Sequence, residues 1–100
     1  PESVSLENLP ALKLKSGQKI LSAVEVKYEE PVKIIGKMQL QMALEEKAAT
    51  QDAKRFQIYF YDAVKKSWKT QMTKLSKNLK SAYTDTAQYG YFVLVDKKGG

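Results

Sequence analysis

The segment DAVKKSWKTQMTKLSKNLKSAYTDT (residues 62–86) admits two structures, and the choice between them sets the fold class. Val64, Trp68, Met72, Leu75, Leu79 and Ala82 follow spacings of 4, 4, 3, 4 and 3, a helical stripe with lysines opposite it. Asp62 stands where a helix N-cap would accept the first free amides. That pattern predicts an α+β protein with a basic amphipathic helix over 62–82. The same residues also support two strands. Leu75, Leu79 and Tyr83 fall among polar residues, and Ser, Thr and Asn weaken helix propensity. Ser76-Lys77-Asn78 carries the turn chemistry that a hairpin needs. Periodicity by itself leaves both structures standing.

The flanks are less ambiguous. Downstream of 62–86, Tyr89 to Val95 reads as a strong strand and is followed by a polar tail. Upstream, Phe56-Gln57-Ile58-Tyr59-Phe60-Tyr61 is an aromatic strand ended by Asp62. Residues 43–55 are a short helix or a long polar loop, with propensity favouring helix. Before them, Val32, Ile34, Gly36, Met38, Leu40 and Met42 occupy even positions, against Lys33, Lys37, Gln39 and Gln41 on odd ones. Ile35 is the one exception, and the period of two predicts a half-buried strand. Pro31 suits its first position, and Gly36 marks a bulge or bend. Residues 19–28 alternate as well, with Ile20, Ser22, Val24, Val26 and Tyr28 on one side. Leu12-Lys13-Leu14-Lys15 alternates before a turn at Ser16-Gly17-Gln18, and residues 1–10 read as a loose arm closed by Pro10.

Two of these regions resemble a known family. VEVKYEEPVKIIGKMQLQM (24–42), with FQIYFYDAVKKSWKTQ (56–71) and NLKSAYTDTAQYGYFVLVDK (78–97), is similar to the β-sandwich domain of netrin receptors, ankyrins and zonula occludens proteins and to its bacterial surface-protein relatives. In that family a proline opens an alternating strand, as Pro31-Val32-Lys33-Ile34 does here. Further on, a strand ending in aromatic-Tyr-Asp leads through a short turn to a tryptophan, as Tyr59-Phe60-Tyr61-Asp62 leads to Trp68. The resemblance implies an all-β, immunoglobulin-like sandwich of about seven strands, in which 62–86 is two strands. Trp68 would then lie across the gap between the sheets. The implied core is Val24, Val26, Val32, Ile34, Met38, Leu40, Ile58, Phe60, Trp68, Phe92 and Leu94. Some members cleave themselves at His-Phe-Ser in the final hairpin. The matching residues are Gln88-Tyr89-Gly90, which offer neither hydroxyl nucleophile nor base, so self-cleavage is not expected.

Composition narrows the function. One hundred residues make a single small domain, assigned to 11–97 with a flexible tail at 98–100. Cysteine and histidine are both absent, which removes the disulfide framework, the thiolate nucleophile, the commonest general base and the commonest metal ligand. Glu29-Glu30 and Glu45-Glu46 are adjacent pairs whose side chains diverge on a strand. No calcium loop or Gly-rich phosphate cradle occurs. No enzyme, metal, cofactor or small-molecule substrate is therefore expected. There is no run of 18 apolar residues. Pro1 in place of an initiating methionine points to a processed protein or an excised fragment. An exterior or cell-envelope location is favoured, with a cytosolic module as the alternative.

The charge is concentrated. Residues 1–50 hold seven Lys and seven Glu, so the net +6 belongs to the second half. Lys65, Lys66, Lys69, Lys74, Lys77 and Lys80 run without an acid between them, a candidate surface for a partner or an anion. Tyr59 and Tyr61 share one strand face, and Tyr89 and Tyr91 are placed on a common face of the last strand. These four are candidate aromatic contacts for sugars or bases. The expected function is a non-enzymatic structural or protein-interaction module of a larger or assembled surface protein, docking a protein partner or neighbouring domains. One alternative is a basic binder of anionic polysaccharide, nucleic acid or membrane surface. Another is a ubiquitin-like modifier whose Gly99-Gly100 tail is conjugated, with a helix at 43–55.

Overall fold

The computed structural model describes residues 2–27, 36–44 and 52–97. They form eight strands: β1 (Glu2–Ser3), β2 (Lys19–Val26), β3 (Met38–Ala43), β4 (Phe56–Asp62), β5 (Ser67–Gln71), β6 (Lys74–Leu75), β7 (Ser81–Thr86) and β8 (Gly90–Asp96). All pairings are antiparallel. One sheet has the order β1-β2-β8-β4-β5 and the other β3-β7-β6. Their inner faces meet in one core: Val26 from β2, Leu40 and Met42 from β3, Phe56, Ile58 and Phe60 from β4, Ala82 from β7, Phe92 and Leu94 from β8. This is an all-β sandwich, and among the described residues there is no α-helix.

The amphipathic helix over 62–82 is thereby overturned. Its stripe points in several directions: Val64 is 92% exposed and Met72 79%, while Ala82 is fully buried. Asp62 does cap free amides, accepting from Val64 N–H and Lys65 N–H at 3.0 Å each. The same chemistry that starts a helix here closes a hairpin, because Lys66 turns left-handed at φ 55 and Ser67 pairs back with Asp62. A second hairpin follows, between β6 and β7. Ser76 N–H donates to Ser81 C=O at 2.9 Å, and Asn78 Oδ1 accepts from Ser76 Oγ and Lys80 N–H. The turn chemistry of Ser76-Lys77-Asn78 is thus used as its residue types suggest.

A lysine at positive φ is strained because its Cβ crowds the following carbonyl. Lys66→Gly relieves that strain at the cost of a freer unfolded chain, for a net gain of roughly 0.5–1 kcal/mol. A thermal melt should show a midpoint higher by a few degrees. A lower midpoint would mean that the lysine side chain, and not the backbone bend, matters at this corner.

β8 explains why its sequence does not alternate. Phe92, Val93, Leu94 and Val95 are all fully buried, since both faces of this central strand are covered. The second sheet covers Phe92 and Leu94. The outer face, with Ala23, Val93 and Val95, is covered by Val4, Leu9, Leu12 and Leu14 from the N-terminal segment. That segment, expected to begin as a loose arm, is tied by β1 and by Val4 N–H donating to Ala23 C=O at 3.0 Å. The Leu12/Leu14 alternation is therefore real, with Lys13 and Lys15 exposed, but these residues lie across the sheet face outside any ladder.

Trp68 belongs to this outer layer and not to the gap between sheets. It stands opposite Tyr61 on the outward side, and its indole N–H donates to Ala11 C=O at 3.0 Å. The expected core otherwise holds for Val26, Leu40, Ile58, Phe60, Phe92 and Leu94, with Val24 and Met38 packed at its margin. Val32 and Ile34, Pro31 and the Glu29-Glu30 and Glu45-Glu46 pairs lie outside the described residues. Of the expected helix at 43–55, Ala43 ends β3 and Ala53–Arg55 is one 3-10 turn capped by Asp52. Residues 45–51 are not described.

The alternation in β2 also breaks. Ile20 pairs with Val95 and Ser22 with Leu94, so Leu21 is an extra residue, a bulge that turns it inward. Ser22 then also lies on the inner side, where its hydroxyl is buried without a hydrogen-bond partner.

Candidate functional site

The chain changes sheets at Met72-Thr73. It runs from β5, at the edge of the five-stranded sheet, into β6, at the edge of the three-stranded one. Thr73 anchors the crossing: its hydroxyl accepts from Ile58 N–H at 2.9 Å and donates to Gln71 C=O at 3.0 Å. Both edges therefore lie on one side of the sandwich, joined by a run from Ser67 to Leu75 with no turn in it.

That side carries the lysine run. Lys65 and Lys66 sit in the β4–β5 turn, Lys69 on β5, Lys74 on β6, and Lys77 and Lys80 in the β6–β7 turn, all exposed. The two turns stand at opposite ends of the extended run, so the six lysines form a ridge rather than a cluster. Lys69 is bound within the protein, with its ammonium 3.1 Å from Asp62. Beside the crossing lies a groove of about 260 Å³, lined by Lys37, Lys74, Met72, Tyr83 and Asp85 among others.

Asp62 is the electrostatic anchor of this side. The Lys65 amide and then the Lys69 ammonium, with the Val64 amide, hold its carboxyl below the ordinary carboxylate range. Its stabilisation is therefore fully present above the unfolded value of about 3.9. It is lost as the pH falls through the lowered folded value. In urea titrations across pH, wild type should exceed Asp62→Asn near neutrality and the two curves should converge in acid. Parallel curves would exclude a charge contribution from Asp62.

The four tyrosines do not form one row. Tyr59 is half-buried against the outer cluster, and the Tyr61 ring lies 5.1 Å from the Trp68 ring. Tyr89 packs against the inner core, while Tyr91 stands opposite Glu25 with its side chain on the face of Val93. The common face assigned to Tyr89 and Tyr91 is lost because Gly90 takes φ +134 between them. A Cβ at Gly90 would lie 3.3 Å from the Phe60 ring, so no side chain fits without displacing that ring. No group of three acidic, histidine or cysteine side chains that could hold a metal is found among the described residues.

The one arginine, Arg55, serves the fold. Its guanidinium clasps Asp96 through Nε–Oδ1 and Nη2–Oδ2 contacts of 3.0 Å each.

An edge strand that accepts another chain's strand is the docking mode expected of such a sandwich, without the sequence saying which edge, and the edges differ sharply. β1 and β6 are two residues long, and β5 carries an exposed lysine: short length and charge both discourage strand addition. β3 has neither protection. It is six residues long, pairs only with β7 among the described residues, and shows uncharged Gln39 and Gln41 on its exposed face. Leu44 N–H donates to Lys80 C=O at 2.8 Å, which sets the phase of the ladder. Met42, Leu40 and Met38 then make the hydrogen-bonded pairs with β7, and Gln39, Gln41 and Ala43 turn their N–H and C=O toward the free edge. Only pairing phase reveals this, and the sequence does not encode it.

Comparison with known protein families, with curated proteins and with solved structures finds no match to this chain.

Proposed function

We propose that the chain is a non-enzymatic protein-interaction module that accepts an extended segment of a partner along β3. The observation that supports this most is the asymmetry of the edges: three are blunted, and β3 alone, among the described residues, offers a neutral row of outward N–H and C=O groups. Backbone hydrogen bonds would supply affinity, and side chains flanking Gln39 and Gln41 would supply selectivity. The lack of cysteine and histidine is consistent with a binding role.

Gln41→Pro tests this directly. Its N–H points to the free edge, so proline there removes a docking donor and no bond to β7. Peptides selected from a random extended-peptide library should protect the amides of Gln39 and Gln41 from hydrogen exchange. They should also bind the folded proline variant at least about tenfold more weakly, as expected for a lost buried hydrogen bond. Selected peptides that bind the variant unchanged, or that protect other amides, would overturn the reading.

A further inference from the structure

The lysine ridge is not purely polar. Among the described residues, three large apolar side chains are strongly exposed, namely Leu6, Val64 and Met72. Two of the three lie on the ridge. Val64 stands at the tip of the β4–β5 turn directly before Lys65 and Lys66, and Met72 sits at the sheet crossing two residues before Lys74. With Lys37 from the groove, this side brings together, among the described residues, seven lysines against two carboxylates, Asp62 and Asp85. Asp62 is already bound by Lys69 and turn amides.

A soluble polyanion would explain the charge and leave the apolar tips without a role. Stacked bases would need several free aromatic rings, yet Tyr61 and Trp68 are packed on each other, Trp68 is held to Ala11, and Tyr83 is a single half-buried ring in the groove. An anionic bilayer uses both features at once. Its headgroups neutralise the lysines, and apolar side chains enter the interface beneath them. The two-sheet edge also gives the right shape, an extended side with lysines from end to end and no helix required.

We propose that the β5–β6 side of the sandwich is a peripheral docking surface for an anionic lipid bilayer, with lysine contacts to headgroups and Val64 and Met72 as shallow apolar anchors. This surface is separate from the β3 edge, and neither reading depends on the other.

The test is co-sedimentation of the whole chain with phosphatidylcholine vesicles, with and without phosphatidylserine. Binding should require phosphatidylserine and weaken with salt. One lysine near such a surface contributes roughly fivefold in affinity. Lys66→Glu/Lys74→Glu/Lys77→Glu should therefore lose binding by well over an order of magnitude. Lys13→Glu/Lys15→Glu/Lys19→Glu, which changes net charge equally in the other half, should lose much less. Val64→Ser/Met72→Ser leaves the charge unchanged and should weaken vesicle binding several-fold. Because the chain has no cysteine, Val64→Cys carries a single environment-sensitive dye, whose emission should shift to the blue on vesicles. Equal losses in the two lysine variants would reduce the effect to net charge and overturn the proposal. So would vesicle binding that ignores Val64→Ser/Met72→Ser and shows no emission shift. Heparin binding through the same lysines, with no vesicle binding, would assign the ridge to a soluble polyanion instead.

Discussion

Phe92→Ala is expected to lower stability by about 3–5 kcal/mol, the usual cost of removing a buried aromatic from a core that cannot close around the gap. Phe92 is fully buried on the central strand β8, and its ring lies 5.0 Å from the Phe60 ring. Val24 and Phe60 flank it on the neighbouring strands, and the β3–β7 sheet lies over it. A cavity there is bounded by two ladders that hold each other in place, so little collapse is available. Small domains are stable by only about 5–15 kcal/mol, so this one side chain accounts for much of the margin. Urea unfolding of Phe92→Ala measures the loss. Phe92→Leu, which retains most of the volume, serves if the alanine variant does not fold and should lose clearly less. Met72→Ala is the exposed counterpart and should stay within about 0.5 kcal/mol of wild type. A Phe92→Ala loss below about 1 kcal/mol would contradict the packing of the two sheets on each other.

Arg55→Ala is expected to be the next largest effect, although the residue sits outside the apolar core. Asp96 is 5% exposed at the end of β8, and Arg55 gives it a bidentate clasp. The backbone closes the same corner, with Lys97 N–H donating to Arg55 C=O at 2.8 Å. A carboxylate that has given up water depends on such donors, so losing the guanidinium destabilises the fold, though less than for a fully buried pair because the Arg55 side chain is 30% exposed. Arg55→Lys keeps the charge without the planar fork and should recover only part of the loss. The pH dependence separates this from a packing defect. The clasp engages a charged carboxylate, so what it contributes is lost in acid once Asp96 is protonated. The deficit of Arg55→Ala relative to wild type should therefore shrink in acid. A deficit constant with pH would show that Arg55 contributes through shape alone.

The legible parts of the fold share one property: their signals are local. The period-two spacing of Met38, Leu40 and Met42 marks β3, and Phe56, Ile58 and Phe60 mark the inner face of β4. Asp62 and Ser76-Lys77-Asn78 mark their turns by side-chain chemistry that acts within a few residues. Between 62 and 86 local signals conflicted, since Asp62 can cap a helix or a hairpin with the same two amides. The conflict is resolved by partners far along the chain. β8 holds β4 as a strand from its other side, and β3 does the same for β7, so both ends of 62–86 are fixed in sheets.

The candidate surfaces were legible to different degrees. The lysine run is visible as sequence, but that it forms one side of the molecule follows from the strand crossing at Met72-Thr73. The tyrosine row dissolved for the opposite reason. Trp68 and the N-terminal leucines cover the face on which Tyr59 and Tyr61 lie, and nothing near those tyrosines in sequence announces the cover.

Sequence alone determined the strands that flank 62–86, the turn residues, the absence of cysteine and histidine, and the concentration of lysine in one half. Each is a property of neighbouring residues or of composition, readable without knowing what lies opposite. Tertiary structure alone decided that 62–86 forms strands and not a helix, that an N-terminal segment seals the outer sheet, that Leu21 bulges, and that β3 pairs on one side only among the described residues. These depend on which strands become neighbours. Adjacency is set by burying the most apolar surface across the whole chain, and a period of two cannot say whether the second face of a strand will be covered as well.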